Sequence, residues 1–232
     1  MKKTIIGACV IILCSPAAWG RSIKLHGFLE ADASMRFEED STRKDQYNFL
    51  EQRLQLKSAY YPNTALLADW NSEIKVKGDV WIDEYAGGDV DAELRELHLF
   101  FSPVPWADIK CGRQIFTWGT GDYLFINDLF PKDYISFFIG REDEYLKKPS
   151  EGIKCSIYHA VINTDIVYIP FFEPNTMPKG EKLSFYDSFV MSISGQESVQ
   201  RVVEPNQNIK TTEAAARMYR TLGRYEAAGY FF

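Results

Sequence analysis

From Leu25 to Phe37 every second residue is apolar: Leu25, Gly27, Leu29, Ala31, Ala33, Met35 and Phe37 share one parity. His26, Glu30, Asp32, Ser34 and Arg36 share the other, with Phe28 the exception. A period of two places successive side chains on opposite faces of a strand and is incompatible with the 3.6-residue repeat of a helix. The pattern recurs. Leu50, Leu54, Leu56 and Tyr60 oppose Glu51, Arg53, Gln55 and Lys57, with Gln52 and Ser58 interrupting the apolar row. Ile74, Val76, Gly78, Val80 and Ile82 oppose Glu73, Lys75, Lys77, Asp79 and Asp83. Pro62-Asn63 separates these two segments as a turn, and Gly87-Gly88 closes the third.

Ahead of the first alternating segment stands Lys2-Lys3, an apolar run from Ile5 to Leu13, Ser15-Pro16 and the small-residue stretch Ala18-Trp19-Gly20. This order predicts a cleavable export signal over residues 1-20, with the mature chain starting at Arg21. The apolar run falls well short of the ~20 residues that a spanning helix requires. Leu13 before Cys14 is not the small residue of a lipoprotein signal. Cleavage removes two lysines and no acid, taking the formal charge from -6 to -8. An acidic chain with both signs interleaved is a poor nucleic-acid binder, so no nucleic-acid partner is expected. Cys111 and Cys155 remain after cleavage. They can form one disulfide or stand as two thiols on different strands, and the second is the expectation.

The alternating segments exceed the ~10 residues that a tilted strand needs to cross a bilayer. The chain carries 16 Phe, 13 Tyr and 5 Trp. Strands with lipid-facing apolar and lumen-facing polar residues, flanked by aromatics, describe a transmembrane barrel. A soluble antiparallel sandwich alternates too; the export signal, the strand lengths and the aromatics favour the barrel. A fourth strand is expected from Glu93 to Phe101, with Leu97, Leu99 and Phe101 towards lipid and a turn at Pro103-Val104-Pro105. A fifth runs from Ala107 to Phe116, where Gly112 predicts a bulge. Alternation vanishes from Trp118 to Ser150, a long aromatic and charged loop expected to fold inward against the polar wall, anchored by Arg113 or Trp118. Strand character returns at Ile153-Val161 and Asp165-Phe171 around an Asn163-Thr164 turn, weakly at Leu183-Ile193, and finally at Ala214-Phe232. In that last segment Tyr219, Gly223, Tyr225, Ala227, Gly229 and Phe231 oppose Arg220, Arg224 and Glu226, and Ala214-Arg217 can equally open a helix.

The stretch Lys110-Cys111-Gly112-Arg113-Gln114-Ile115-Phe116-Thr117-Trp118-Gly119, with Ile126-Asn127-Asp128, Phe130-Pro131-Lys132-Asp133 and Val167-Tyr168-Ile169-Pro170-Phe171-Phe172, resembles porin-like outer-membrane barrels. It is similar to the alginate-export proteins and a related group of uncharacterised barrels, over roughly residues 75-175. The resemblance implies a barrel in the outer membrane of a Gram-negative bacterium, delivered by the barrel-assembly machinery and bedded in outer-membrane lipid. Members are commonly about twice as long. The expectation is therefore an incomplete barrel: an open antiparallel sheet of eight or nine strands whose first and last strands, near Ile23-Phe37 and Met218-Phe232, do not pair.

Candidate functional residues are those of the polar parity: Glu30, Asp32, Arg36, Glu51, Arg53, Lys57, Glu73, Lys75, Lys77, Asp79, Asp83 and Glu96. Most are expected to be cross-strand ion pairs of a wall. Arg113, Gln114 and Trp118 can hold a sugar acid through a guanidinium fork, an amide and a ring, or pin the long loop, which is the favoured role. Asp122, Asn127, Asp128 and Asp133 supply oxygen ligands, but not at the spacing of a calcium loop, so solvated carboxylates are expected and no metal or cofactor. His26, His98 and His159 lack zinc spacing, and no G-x-S-x-G is present. Glu30 and Asp32 form a possible carboxylate pair, a thin basis for a hydrolase; no enzyme is expected. The function expected is passive passage of small anionic or sugar-like solutes, with a non-transporting structural or surface-binding barrel as the alternative.

Overall fold

The computed structural model describes residues 23-35, 37, 47-83, 88-119, 127-195, 198-201, 203 and 211-232. The export signal, Arg36, Asp122 and Gly87 lie outside the described residues. The strands are β1 (Ile23-Met35), β2 (Tyr47-Tyr60), β3 (Glu73-Asp83), β4 (Val90-Val104), β5 (Ala107-Gln114), β6 (Ser150-Ile157), β7 (Asn163-Ile169), β8 (Phe185-Asp187), β9 (Ser192-Ser194), β10 (Glu213-Leu222) and β11 (Tyr225-Phe231). The helices are α1 (Ala65-Asp69), α2 (Tyr134-Ile139) and α3 (Asp143-Leu146). No helix among them is long and apolar enough to cross a membrane.

Nine strands form one antiparallel sheet in the order β1-β2-β3-β4-β5-β6-β7-β10-β11, and β8-β9 make a separate small hairpin. The sheet is not closed: β1 and β11 stand at opposite edges, as expected. One end carries the turns at 61-72, 105-106, 158-162 and 223-224; the other carries 36-46, 84-89, 115-149 and 170-212.

Burial along the strands is inverted relative to a water-soluble sheet. On β2, Glu51 and Arg53 are 4% and 3% exposed while Leu54 and Leu56 are 37% and 48% exposed. Asp79 and Asp83 are buried where Val80 and Ile82 are exposed, and Ile153, Ile166, Met218 and Leu222 extend the uncovered apolar face. In water, leaving such a side chain uncovered forfeits about 1.5-3 kcal/mol each. On the other face, the described residues 115-119 and 127-149 lie over part of the polar wall, and Phe116, Trp118, Val167, Ile169 and Ala215 form a small apolar core there.

Several local expectations are corrected. The final segment is a hairpin, turning at Gly223 (φ 66°) and Arg224, so parity resets halfway. Tyr219 and Glu226 consequently fall on the polar face with Arg217, while Arg220 does not; Ala214-Arg217 is strand rather than helix. β4 continues through Pro103 to Val104, so the turn is Pro105-Trp106. Asn163 and Thr164 belong to β7, and the turn precedes them. The weak Leu183-Ile193 segment holds the two three-residue strands β8 and β9, with β9 ending at Ser194.

Gly112 makes no bulge, because the β5 registers with both neighbours run through it unbroken. Its φ of 121° instead permits close approach: a Cβ there would lie 2.3 Å from the Leu97 carbonyl oxygen. The irregularity occurs one strand earlier. Lys77 pairs with Glu96 but Gly78 pairs with Leu94, leaving Arg95 as the extra residue. A two-for-one bulge of this kind lets Leu94 and Leu97 both reach the apolar face and puts Arg95 and Glu96 together on the polar one.

Candidate functional site

The densest polar cluster lies on β2-β4 beneath α3. Arg53 donates from Nε to Glu51 Oε1 at 2.8 Å and from Nη1 to Asp79 Oδ2 at 3.1 Å. Its guanidinium lies between two rings, 4.5 Å from the Trp81 centroid and 4.1 Å from that of Tyr145. Arg95, delivered by the bulge, pairs with Glu93 at 3.1 Å and donates from Nη2 to the carbonyls of Glu144 and Lys147, each at 2.8 Å. Glu144 accepts from Gln55 Nε2 at 2.7 Å and from Lys77 Nζ at 2.9 Å. Arg141 reaches down to Glu51. Together these contacts latch α3 and its flanks onto the wall.

Cation and ring suit each other here because both are withdrawn from water, where a guanidinium over an aromatic face gains most. Burial alone would raise the Glu144 carboxyl; the hydrogen bonds from Lys77 and Gln55 outweigh it and hold the group below its ordinary value. Burial pushes the Tyr145 phenol well above the usual tyrosine range against the opposing pull of Arg53. Its hydroxyl is buried without a hydrogen-bond partner.

Of the residues singled out from the sequence, Glu51, Arg53, Asp79 and Lys77 converge in this latch. Glu30 and Asp32 lie on the same parity of β1, in register with Arg53 and Glu51, at its edge. Lys75 pairs with Glu96 at 2.9 Å. Gln114 is buried and donates to the Lys110 carbonyl. Trp118 is buried against Tyr230, ring centroids 6.0 Å apart, and its carbonyl accepts from Arg217 Nη1 at 3.0 Å. It does pin the loop, on the β10-β11 side.

Arg113 does not join Gln114 and Trp118. It is in register with Leu97 and Glu151, whose side chains are exposed on the apolar side, and donates from Nε to the Leu94 carbonyl at 2.6 Å. The proposed trio is therefore split by strand parity. Asn127, Asp128 and Asp133 do not converge either: Asn127 has φ 66°, Asp128 lies 3.4 Å from Lys132, and Asp133 caps α2 by accepting from the Ser136 amide at 3.1 Å. Among the described residues no group of His, Cys, Asp or Glu has metal-binding geometry. Cys111 and Cys155 are free, half-buried thiols on adjacent strands, offset in register because Cys111 faces Ile153 and Cys155 faces Ile109.

Reasoning from residues alone missed Arg95, Arg141, Glu144 and Tyr145. Arg95 is assigned to the apolar face by simple parity, and only the bulge reverses it. The other three sit in the charged 141-148 stretch, where the sole sequence signal was a run of charges and a tyrosine beside a wall that needed partners. No protein-family model matches the chain, and no curated protein matches it.

Proposed function

We propose that this chain is part of the wall of an outer-membrane β-barrel that lets small anionic or sugar-like solutes pass, its polar face lining the path and its apolar face meeting lipid. The observation that carries the reading is the inverted burial of the sheet. Lipid is a solvent in which exposed Leu25, Leu29, Leu56, Val80 and Leu97 cost nothing and in which antiparallel strands satisfy their own backbone. The two longest connections, 115-149 and 170-212, leave from the same end of the sheet, which fits the same setting. Exposed Tyr60, Tyr61, Trp106, Tyr158 and Tyr225 lie at or beside the turn end, where amphipathic rings would meet an interface.

The 115-149 segment, latched across the polar face, narrows whatever path that face lines. Export by a cleavable signal and insertion by the barrel-assembly machinery belong to this proposal. The test is membrane fractionation followed by planar-bilayer recording of the full chain. Outer-membrane partition with steady conductance is the expected result. A soluble periplasmic product removes the membrane reading, and a membrane-inserted but silent protein favours a structural or surface-binding role.

A further inference from the structure

The cations of the latch are each matched to an acid, carbonyl or ring; lower on the same face two half-buried lysines oppose one another. Lys110 on β5 stands directly across from Lys154 on β6. Like charges opposed across a strand pair are destabilising unless something offsets them. Lys154 has compensation: Asp165 lies 3.6 Å away and the Trp118 ring centroid 5.6 Å away. Lys110 has none. Among the described residues no ion pair and no side-chain hydrogen bond reaches its half-buried ammonium. The nearby carboxylate of Glu96 is already engaged by Lys75 at 2.9 Å and lies 3.8 Å from His98 Nδ1.

The next row of the sheet adds to the imbalance. Lys75 is in register with His98, and His98 with Gly112, two residues along the strand from Lys110. Gly112 has no side chain and tolerates none, so the strand itself offers nothing to screen Lys110 there. His98 is only 6% exposed, and its Nδ1 is buried without a hydrogen-bond partner. Local conflicts of this kind concentrate where a protein binds something, because the missing partner is the ligand.

We propose that Lys110 and Lys154, flanked by Lys75, form a binding site for a small oxyanion. Two oxygens of a phosphate or carboxylate would accept from the two opposed ammonium groups and convert their repulsion into charge-assisted hydrogen bonds. The proposal deepens the pore reading, since a site on this face would lie along the path, but it can be tested without conduction.

The experiment uses the full chain in detergent micelles with inorganic phosphate, acetate and chloride at matched ionic strength, read by thermal unfolding and by calorimetric titration. Phosphate is expected to raise the melting temperature beyond chloride, and acetate to do so if one carboxylate suffices. Lys110→Met should weaken phosphate binding about tenfold or more while raising the melting temperature in chloride, because it removes the like-charge contact. Lys110→Arg should keep binding, and Lys24→Met, at a distant exposed position, should change nothing. If phosphate and chloride act alike on the parent chain, the site does not exist. Equal phosphate affinity in the parent chain and Lys110→Met overturns it as well. Should Lys110→Met not fold, Lys154→Gln and the parent-chain comparison decide by the same criteria. A silent protein that binds phosphate would sink the pore reading and leave this site standing.

Discussion

The 115-149 segment is held on one face of one sheet by two different kinds of chemistry. Over β2-β4 the grip is ionic: Arg53 between Trp81 and Tyr145, Arg95 on two carbonyls, Glu144 on Gln55 and Lys77. Over β6, β7 and β10 it is apolar: Phe116 and Trp118 pack on Val167, Ile169 and Ala215, with Leu129 and Tyr230 around them. The parity is the same; the residues that strand geometry turns to that face are not. Asp79 and Arg95 on one side, against Val167 and Ala215 on the other, call for opposite partners from the loop. The difference implies that the loop can be loosened at one end by acid or salt without disturbing the other, since screening and protonation act on charges and leave buried apolar contacts in place.

The largest effects should come from removing either anchor. Phe116→Ala is expected to cost about 3-5 kcal/mol, with no dependence on salt, because it opens a cavity in a packed apolar core. Arg53→Ala should cost up to roughly 3-5 kcal/mol, because Glu51 then keeps only Arg141 and Asp79 only the more distant Arg95 as cations. Chemical unfolding in micelles measures both. The comparison breaks if the Phe116 variant is salt-sensitive or the Arg53 variant costs under about 1 kcal/mol.

Tryptic cleavage after Arg141 and Lys147, at neutral pH, gives a readout of α3 release in the variants. Acidification should release α3 too, read by spectroscopy rather than by trypsin. The Glu144 carboxyl is held below its ordinary value of 4.5, so its contribution is fully present above that value and is lost as pH falls through the lowered one. Structural probes of the latch, such as Tyr145 fluorescence in variants lacking other nearby tyrosines, should change in that acidic window while the Trp118 environment does not. Glu144→Gln should flatten the transition. A transition of the same size in Glu144→Gln would assign it to other carboxylates.

Smaller again is the salt effect on Lys77 and Glu144, a pair whose glutamate is about a third exposed. Lys77→Met should weaken the latch by no more than about 1 kcal/mol, and high salt should remove most of the difference. Smallest and opposite in sign is Tyr145→Phe. The hydroxyl is buried without a partner, so deleting it should leave the latch unchanged or slightly tighter, while Tyr145→Ala releases it. Faster tryptic cleavage of Tyr145→Phe would show that the hydroxyl has a partner that matters.

Much of the architecture could be read from residue order because alternation is a local property. Leu54 and Arg53 point to opposite sides of β2 whatever pairs with it, and this parity separated the apolar face from the polar one over β1-β3 before any contact was known. The same rule fails wherever the count is disturbed. Simple parity from Leu97 and Leu99 would put Arg95 on the apolar face, and the one extra residue opposite Lys77 and Gly78 reverses it. Tyr219 and Glu226 were set apart because a turn at Gly223 and Arg224 was taken for continuous strand. Arg113 looked like a partner of Trp118 by proximity in sequence, yet it stands in register with Leu97 and Glu151 on the apolar side.

What the sequence by itself determined is the existence of long two-faced strands and an interrupting loop with enough aromatic and charged residues to dock. These follow from backbone stereochemistry and the solvent preference of each side chain, neither of which needs a partner. Only the tertiary structure decided that Tyr145 enters between Arg53 and Arg95, that Trp118 holds the opposite end, and that Lys110 meets Lys154 without a direct ion pair among the described residues. Those facts depend on register, and register is a collective property of neighbouring strands: a bulge or a turn in one of them reassigns the neighbours of every residue beyond it.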